Sequence, residues 1–376
     1  MTTKVATKTA TMDTKVLREA LQKVSLAIPK RTTLPICTFI HTEFADGKAY
    51  LTATDLERAV RIAVDSTNSE HFSVMLPKKS VEKFLHGANG KVKIEVGKGD
   101  GNATLSREGL GDFKVFVPQP KDFPPIPQVD NPTWQKLDGK WFCRMLGILA
   151  TACATELSRP VLTSVCCSEG KMASADGFRL VYLNDKRLTF GLGDKKALIP
   201  IWTILLAQKL FNKDDEIEVA FDVDHNQGYF KSPTTYLVTQ LTQGNYPDYN
   251  QLIPQQYNCK ISFSAPLLSQ RLQMIDEKQL SGGIIRYQFH RKEDTKEHEC
   301  FITAHSEELF DYSMTMPVKI LSEDVGKIAF NHKYVVDAIK PFSMCNLEIT
   351  SLSSPGKFTG DIEGLTITVM PMFVQW

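Results

Sequence analysis

Apolar and polar positions alternate in two ways along this chain, and the two rhythms take turns. A period of 3.6 marks the segment 13–24, where Val16, Leu17, Ala20, Leu21 and Val24 fall on one helical stripe behind Asp13, a good N-cap. A period of two follows at 36–44, 49–54 and 58–64, with Asp46-Gly47 as a hairpin signal between the first two runs. A second helix is expected over 77–86, opening on Pro77, and strands over 91–96, 102–107 and 112–117. A proline-rich stretch, 118–127, reads as a stiff linker.

The same order then returns twice. Helix 138–154 precedes strands near 162–167, 171–175 and 178–183; a helix from about Pro200 through Ile204, Leu205 and Leu210 precedes strands 216–221, 227–231 and 235–241. The third pass has helix 264–278, strands 283–289, 299–303 and 309–316, helix 331–342, and strands 346–351, 356–362 and 365–370. Local sequence repeats with it. Leu51-Thr-Ala-Thr-Asp-Leu-Glu-Arg58 matches Met172-Ala-Ser-Ala-Asp-Gly-Phe-Arg179, and more faintly Ile302-Thr-Ala-His-Ser-Glu-Glu-Leu309. Second-half helices open at Pro77, Pro200 and Asn331, and units exit through Phe123-Pro124, Tyr246-Pro247 and Met370-Pro371. Independent landmarks at a common period of roughly 120 residues predict three related domains. Their expected bounds are 12–127, 128–254 and 255–376, after a disordered leader at 1–11. Each is an α+β unit with two helices packed on antiparallel sheet. Pairing two such arcs head to tail would remove the unpaired edge strands at their ends.

Composition narrows the reading. At 42% hydrophobic residues the 376-residue chain can bury ordinary cores. No apolar run reaches the ~18–20 residues of a membrane helix, and Met1–Thr11 lacks the apolar segment of a secretory signal, so a soluble, intracellular protein is expected. Eight cysteines without a C-x-x-C pattern read as reduced thiols. His290, His298 and Cys300 are the one loose metal-ligand group, and they flank a charged hairpin tip better read as solvated. Net charge is +1, against a large uniformly basic face, but the charge is unevenly placed. The six expected helical segments hold 14 basic and 7 acidic residues, so the remainder is acidic on balance. A basic helical layer on an acidic sheet suits a ring around nucleic acid; charged solvated helix faces are the plainer alternative.

Five motifs in register with the repeat carry a resemblance. Arg31-Thr-Thr-Leu-Pro-Ile36, Leu51-Thr-Ala-Thr-Asp-Leu-Glu57, Ala173-Ser-Ala-Asp-Gly-Phe-Arg-Leu180, Tyr246-Pro-Asp-Tyr249 with Ile253-Pro254, and Val369-Met-Pro-Met372 resemble the beta subunit of bacterial DNA polymerase III, the replicative sliding clamp. The resemblance spans about residues 12–372. It implies a homodimeric six-domain ring that encircles duplex DNA independently of sequence and catalyses nothing. A clamp loader would open it with ATP, and it would tether the polymerase catalytic subunit and other proteins bearing short clamp-binding motifs. It needs no cofactor or metal and works in the bacterial cytoplasm, away from membranes.

By the same resemblance, a partner-peptide pocket falls on Leu162, Ala175, Gly177, Phe178, Arg179, Leu180, Pro247, Leu252, Val369, Met370, Pro371 and Met372, with Arg159, Gln251 and Ser354 at its rim. Methionines suit such a surface because they adapt to varied ligands. DNA contacts fall on Arg31, and, from the helix charge, on Lys78, Lys79, Lys209 and Lys333. The dimer seam joins Phe113 and Val115 to Met274 and Ile275. Phe178 and Ala175 stand where better-known members are more polar, and Pro160 and Val161 where they are often aromatic. The apolar tail Phe373-Val-Gln-Trp376 would touch the pocket mildly or stay disordered.

Catalytic readings fare worse. Asp55 and Asp176 occupy the same turn of two repeats, which is a structural role. Gly97-Lys-Gly-Asp-Gly101 lacks the helix and G-K-[ST] of a phosphate loop and reads as a hairpin turn. No motif places a nucleophile beside a base. The alternative to a clamp is a repeat-built protein scaffold that does not encircle DNA.

Overall fold

The computed structural model describes residues 7–87, 89–97, 101–109, 111–129, 132–156, 158–211, 214–292, 297–305 and 311–376. In chain order the elements are β1 (Lys8–Asp13), α1 (Thr14–Val24), β2 (Phe39–Ala45), β3 (Lys48–Thr54), β4 (Arg58–Asp65), the two-residue β5 (Thr67–Asn68), β6 (Phe72–Pro77), α2 (Lys78–Leu85), β7 (Lys91–Val96), β8 (Asn102–Arg107) and β9 (Gly111–Phe116). Next come β10 (Gln135–Asp138), α3 (Gly139–Ala150), β11 (Ser164–Ser168), β12 (Lys171–Ala175), β13 (Arg179–Asn184), β14 (Ala197–Pro200), α4 (Ile201–Phe211), β15 (Glu216–Asp222), β16 (Gln227–Lys231) and β17 (Thr235–Gln240). Last are β18 (Cys259–Ser264), α5 (Ala265–Leu272), β19 (Ile284–Arg291), β20 (His298–His305), β21 (Asp311–Ile320), β22 (Lys327–Asn331), α6 (His332–Ile339), β23 (Met344–Ile349), β24 (Gly356–Gly360) and β25 (Leu365–Val369). Apart from β5, one order is used three times: strand, helix, four strands, helix, three strands.

Every helix starts at the residue after a strand ends, a feature the sequence reading missed. β1, β6, β10, β14, β18 and β22 abut α1 to α6 directly. At Asp13, Asp138, Ser264 and Asn331 the junction residue serves both elements, because an N-cap has extended backbone angles while its side chain accepts from the first turn. Asp13 takes Lys15 N–H at 2.8 Å, Asp138 takes Trp141 N–H at 2.6 Å, and Asn331 takes Tyr334 N–H at 3.3 Å. α1 then buries Leu17, Ala20, Leu21 and Val24, while Val16, assigned to that stripe, is 38% exposed on the outer side. Strand β1 also claims residues 8–11 of the expected leader by pairing with β7; residues 1–6 lie outside the described ones. Helix 264–278 is shorter than expected. α5 stops at Leu272, and Asp276 caps a new 3-10 turn by accepting Lys278 N–H at 3.1 Å. Short 3-10 turns at Pro35–Thr38 and Pro160–Thr163 delay β2 and β11, since proline at the first position sets up a turn and offers no ladder donor.

The chain forms two compact units, residues 1–144 with 202–241 and residues 145–201 with 242–376. The first unit holds a five-stranded sheet, β5-β1-β7-β8-β9, and an eight-stranded one, β10-β15-β16-β17-β4-β3-β2-β6. The second holds a twelve-stranded sheet, β14-β11-β12-β13-β25-β24-β23-β18-β21-β20-β19-β22. Sheets therefore run across repeats. β17 pairs with β4 (Val238 opposite Ala59), and β25 pairs with β13 (Ile367 opposite Val181). All eight cysteines are buried and free, and His298 Nδ1 accepts Ile320 N–H at 2.9 Å. Among the described residues no helix is long and apolar enough to cross a membrane.

Candidate functional site

The second unit contains a cavity of about 490 Å³ beside the turn between β12 and β13. The turn is Asp176-Gly177-Phe178-Arg179. Gly177 has φ 94°, a backbone region where a side chain is strained. Asp176 ties the turn from within: Oδ1 accepts Phe178 N–H at 2.9 Å and Arg179 N–H at 3.0 Å, and Oδ2 accepts Arg179 Nε–H at 2.9 Å. Arg179 donates its other arm to Asp337 of α6 at 2.6 Å and lies 4.5 Å over the Tyr334 ring. Burial opposes the Arg179 charge, but the hydrogen bonds to Asp337 and Asp176 outweigh it and its pKa is raised. Phe178 stacks on the other aromatic of this group, Tyr334, at 6.2 Å, and stays 59% exposed. Met370 N–H donates to Phe178 O at 2.7 Å, which fixes the chain end against the turn.

Arg159, Leu162, Gly177, Phe178 and Arg179 of the expected pocket line this cavity. Ala175 and Leu180 lie in a buried cluster with Leu162, Tyr246 and Tyr249, where Ala175 N–H donates to Tyr246 Oη at 2.8 Å. Val369 and Pro371 are buried, Met370 is exposed, and Met372 N–H donates to Ala329 O at 2.8 Å beside β22. Pro247 and Leu252 are exposed, with Gln251 bonded to Asp248 at 3.4 Å; Ser354 bonds Ser351 at 2.8 Å in the loop before β24. These residues are not among those that line the cavity. The tail follows Met372: Phe373 is 85% exposed and Trp376 lies 4.9 Å from Lys327 Nζ.

Sequence reasoning missed Tyr334, Asp337, Cys153, Glu156 and Tyr246. Tyr334 and Asp337 stand three residues apart on α6 and so face one way, a spacing that was legible. Burial pushes the Cys153 thiol up to about 12, so it lines the wall as a neutral group and not as a nucleophile. Lys333, assigned to DNA, lines the same cavity, as do Glu156 and Arg159. Arg31, Lys79 and Lys209 are exposed; Lys78 is half-buried, 3.9 Å from Glu82. Of the expected seam, Met274 is 60% exposed and Phe113 stacks on Phe84 at 5.5 Å, while Val115 and Ile275 are buried. Asp55 accepts the backbone and side chain of Arg58, so both repeated aspartates are committed to their turns. The third copy, Ser306–Phe310, and most of the Gly97–Gly101 turn fall outside the described residues. The lining thus combines Ala154 and Leu162, the rings of Phe178 and Tyr334, and the charged side chains of Glu156, Arg159 and Lys333.

Comparison with known proteins places this arrangement. Residues 9–127 match the family described as DNA polymerase III beta subunit, N-terminal domain. The beta sliding clamp of Chlamydia pneumoniae is 25% identical over 369 residues, covering 95% of this chain and 96% of its own. That of Staphylococcus aureus is 26% identical over 345 residues, covering 86% and 87%. In fold, the DNA polymerase sliding clamp from Bacillus subtilis superposes with a TM-score of 0.87 at 19% identity, covering 98% of this chain and all of its own. The sliding clamp from Bartonella birtlesii, solved bound to griselimycin, also gives 0.87, at 16% identity. Residues 9–127 thus match the DNA polymerase III beta subunit family, and over its full length the chain is similar in sequence to beta sliding clamps and shares their fold.

Proposed function

We propose that this chain is a DNA sliding clamp, a non-catalytic processivity factor that encircles duplex DNA and tethers the replicative polymerase and other replication and repair proteins. One observation carries the ring. The last strand of each later repeat pairs with the fourth strand of the repeat before it, β17 with β4 and β25 with β13. Carried one step further, β9 seeks β21 of a second copy. Both edges are open for it. β9 ends its sheet with Phe116 77% exposed, and β21 meets β18 only at Ile320 and Lys319. Met274 stands beside β21, its carbonyl accepting from Tyr312 Oη at 2.8 Å. Two copies then close a six-domain ring through two identical seams, with domains at 12–127, 128–254 and 255–376.

The helices suit the DNA side of that ring. Within α1 to α6 the only acids are Glu19, Glu82 and Asp337, and Asp337 is held by Arg179. Arg31, Lys78, Lys79, Lys209 and Lys333 supply sequence-independent phosphate contacts, few enough for the ring to slide. The cavity at Phe178 and Arg179 takes clamp-binding motifs, and an ATP-driven clamp loader opens the seam in the bacterial cytoplasm.

Retention on DNA tests this reading. Loaded by its loader onto nicked circular plasmid, the protein should stay bound in high salt and leave once the plasmid is linearised. Equal, salt-sensitive loss from circle and linear DNA would contradict encirclement and favour a scaffold.

A further inference from the structure

We propose that α4 gives the DNA-facing layer a base-stacking contact, Trp202, so that the protein holds duplex interrupted by unpaired bases more firmly than intact duplex. The inference rests on the clamp reading, which sets the helices against DNA, and adds to it the class of DNA preferred.

The second-half helices of the three repeats allow a direct comparison. α2, α4 and α6 each follow directly on a strand, and their second residues are Lys79, Trp202 and Lys333. All three are exposed. Two repeats therefore present an ammonium where the remaining one presents an indole, 63% exposed. The change continues along the same face of α4. Leu205, one turn on, is 38% exposed, and Lys209, two turns on, is exposed about 10 Å along the axis from Trp202. Lys209 is the only charged residue of α4, so no carboxylate of this helix opposes a phosphate. The core is filled from the other side of the helix by Ile204, Ala207, Leu210 and Phe211, and Gln208 ties α4 to α3 by donating to Cys143 O at 3.0 Å. Trp202 is left facing outward on a helix whose orientation is fixed.

The chemistry of the two side chains selects different DNA. An ammonium meets phosphate anywhere along a duplex, whatever the bases. An indole face finds no counterpart there, because paired bases are stacked on one another and show only their edges in the grooves. An unpaired base exposes its ring. Proteins that hold single strands without sequence preference combine aromatic platforms for the bases with cations that track the backbone. Trp202 and Lys209 supply such a pair on one helical face, with Leu205 as apolar ground between them. The equivalent lysines, Lys79 and Lys333, assign this face to phosphate and so to nucleic acid in preference to a protein partner.

The test is fluorescence anisotropy of the full chain, without a loader and at low salt, on a short labelled duplex with a central thymidine gap and on the same duplex with the gap filled. The gapped duplex should bind about tenfold tighter. Trp202→Ala should bring the gapped duplex down to the level of the intact one, while Trp202→Phe, which keeps a ring, should hold most of the preference. Trp202→Lys, which installs the residue of the other two repeats, should strengthen binding of the intact duplex and remove the preference. No measurable binding, equal binding of the two DNAs by the unaltered chain, a preference that survives Trp202→Ala, or equal weakening of both DNAs in that variant would overturn the proposal. Open-ended duplexes need no closed ring, so this outcome is separate from retention on plasmid. Retention on circles without a gap preference removes this inference alone, and a Trp202-dependent gap preference without retention keeps the stacking contact and removes the ring.

Discussion

The turn at 55–58 and the turn at 176–179 are the same device in two repeats, put to different use. In each an aspartate accepts two backbone N–H groups and the side chain of an arginine three residues on. In each the middle carbonyl receives the end of the next repeat's last strand, Glu57 O from Gln240 N–H at 2.8 Å and Phe178 O from Met370 N–H at 2.7 Å. The surroundings differ. Arg58 has one carboxylate and is partly exposed, whereas Arg179 is buried between two carboxylates and an aromatic ring. Glu57 stands where the second turn has Phe178, and Leu56, at φ 77°, where it has Gly177. The repeat supplies the brace; side chains from α6 turn one copy into a site.

Substitutions can break or sharpen this contrast. Arg179→Ala leaves two partly buried carboxylates without their cation and should cost about 2–3 kcal/mol. Arg58→Ala, at a partly exposed pair, should cost about 1 kcal/mol. Urea unfolding of the two variants checks the gap, and equal losses would erase the distinction.

Alkaline pH should separate the joints next. At the second joint, burial pushes Cys153 and Tyr249 up to about 12 and Cys166 to about 11. Raised acids favour the folded state while protonated. That contribution is whole below pH 9, near the unfolded thiol value, and is lost as pH rises from 9 to about 12. The first joint carries fewer such groups, Tyr236 pushed up to about 12 and Cys37 raised, both by burial, so hydrogen exchange should speed up around β12 and β13 before it does around β3 and β4.

Phe178→Ala should weaken binding of a short clamp-binding peptide about tenfold in a fluorescence titration, with stability changed by less than about 0.5 kcal/mol at this exposed position. The smallest effects concern the backbone. Gly177→Ala, with nothing within 4 Å of an added Cβ, should cost about 1 kcal/mol from its positive φ alone. Leu56→Gly should change stability by about 0.5 kcal/mol or less, because relief of strain and greater unfolded-state freedom oppose each other. Thermal melts read both.

Much of this was legible from the sequence, because strict local patterns made it so. β7 and β8 fall where alternation put them, and Asp13 caps α1 as its side chain suggested. The six strands leading into the helices were not legible, since residues such as Asp138 and Asn331 end one element while capping the next, and a cap reads as an interruption. Sheet sharing was also hidden: β17 and β4 pair across more than a hundred residues, and no local pattern encodes that. At the site, the Asp176–Arg179 turn could be read because it repeats. Asp337 and Tyr334 could not be assigned to it from the repeat alone, because the first joint has no equivalent of their contacts with arginine.

The most direct measurement is mass in solution by light scattering across a dilution series. Closure of β9 on β21 of a second copy predicts a species of twice the 42.2 kDa chain mass, and one that falls to a single chain when Phe116 and Met274 are replaced by aspartate. A single chain at every concentration would contradict a ring closed by two copies.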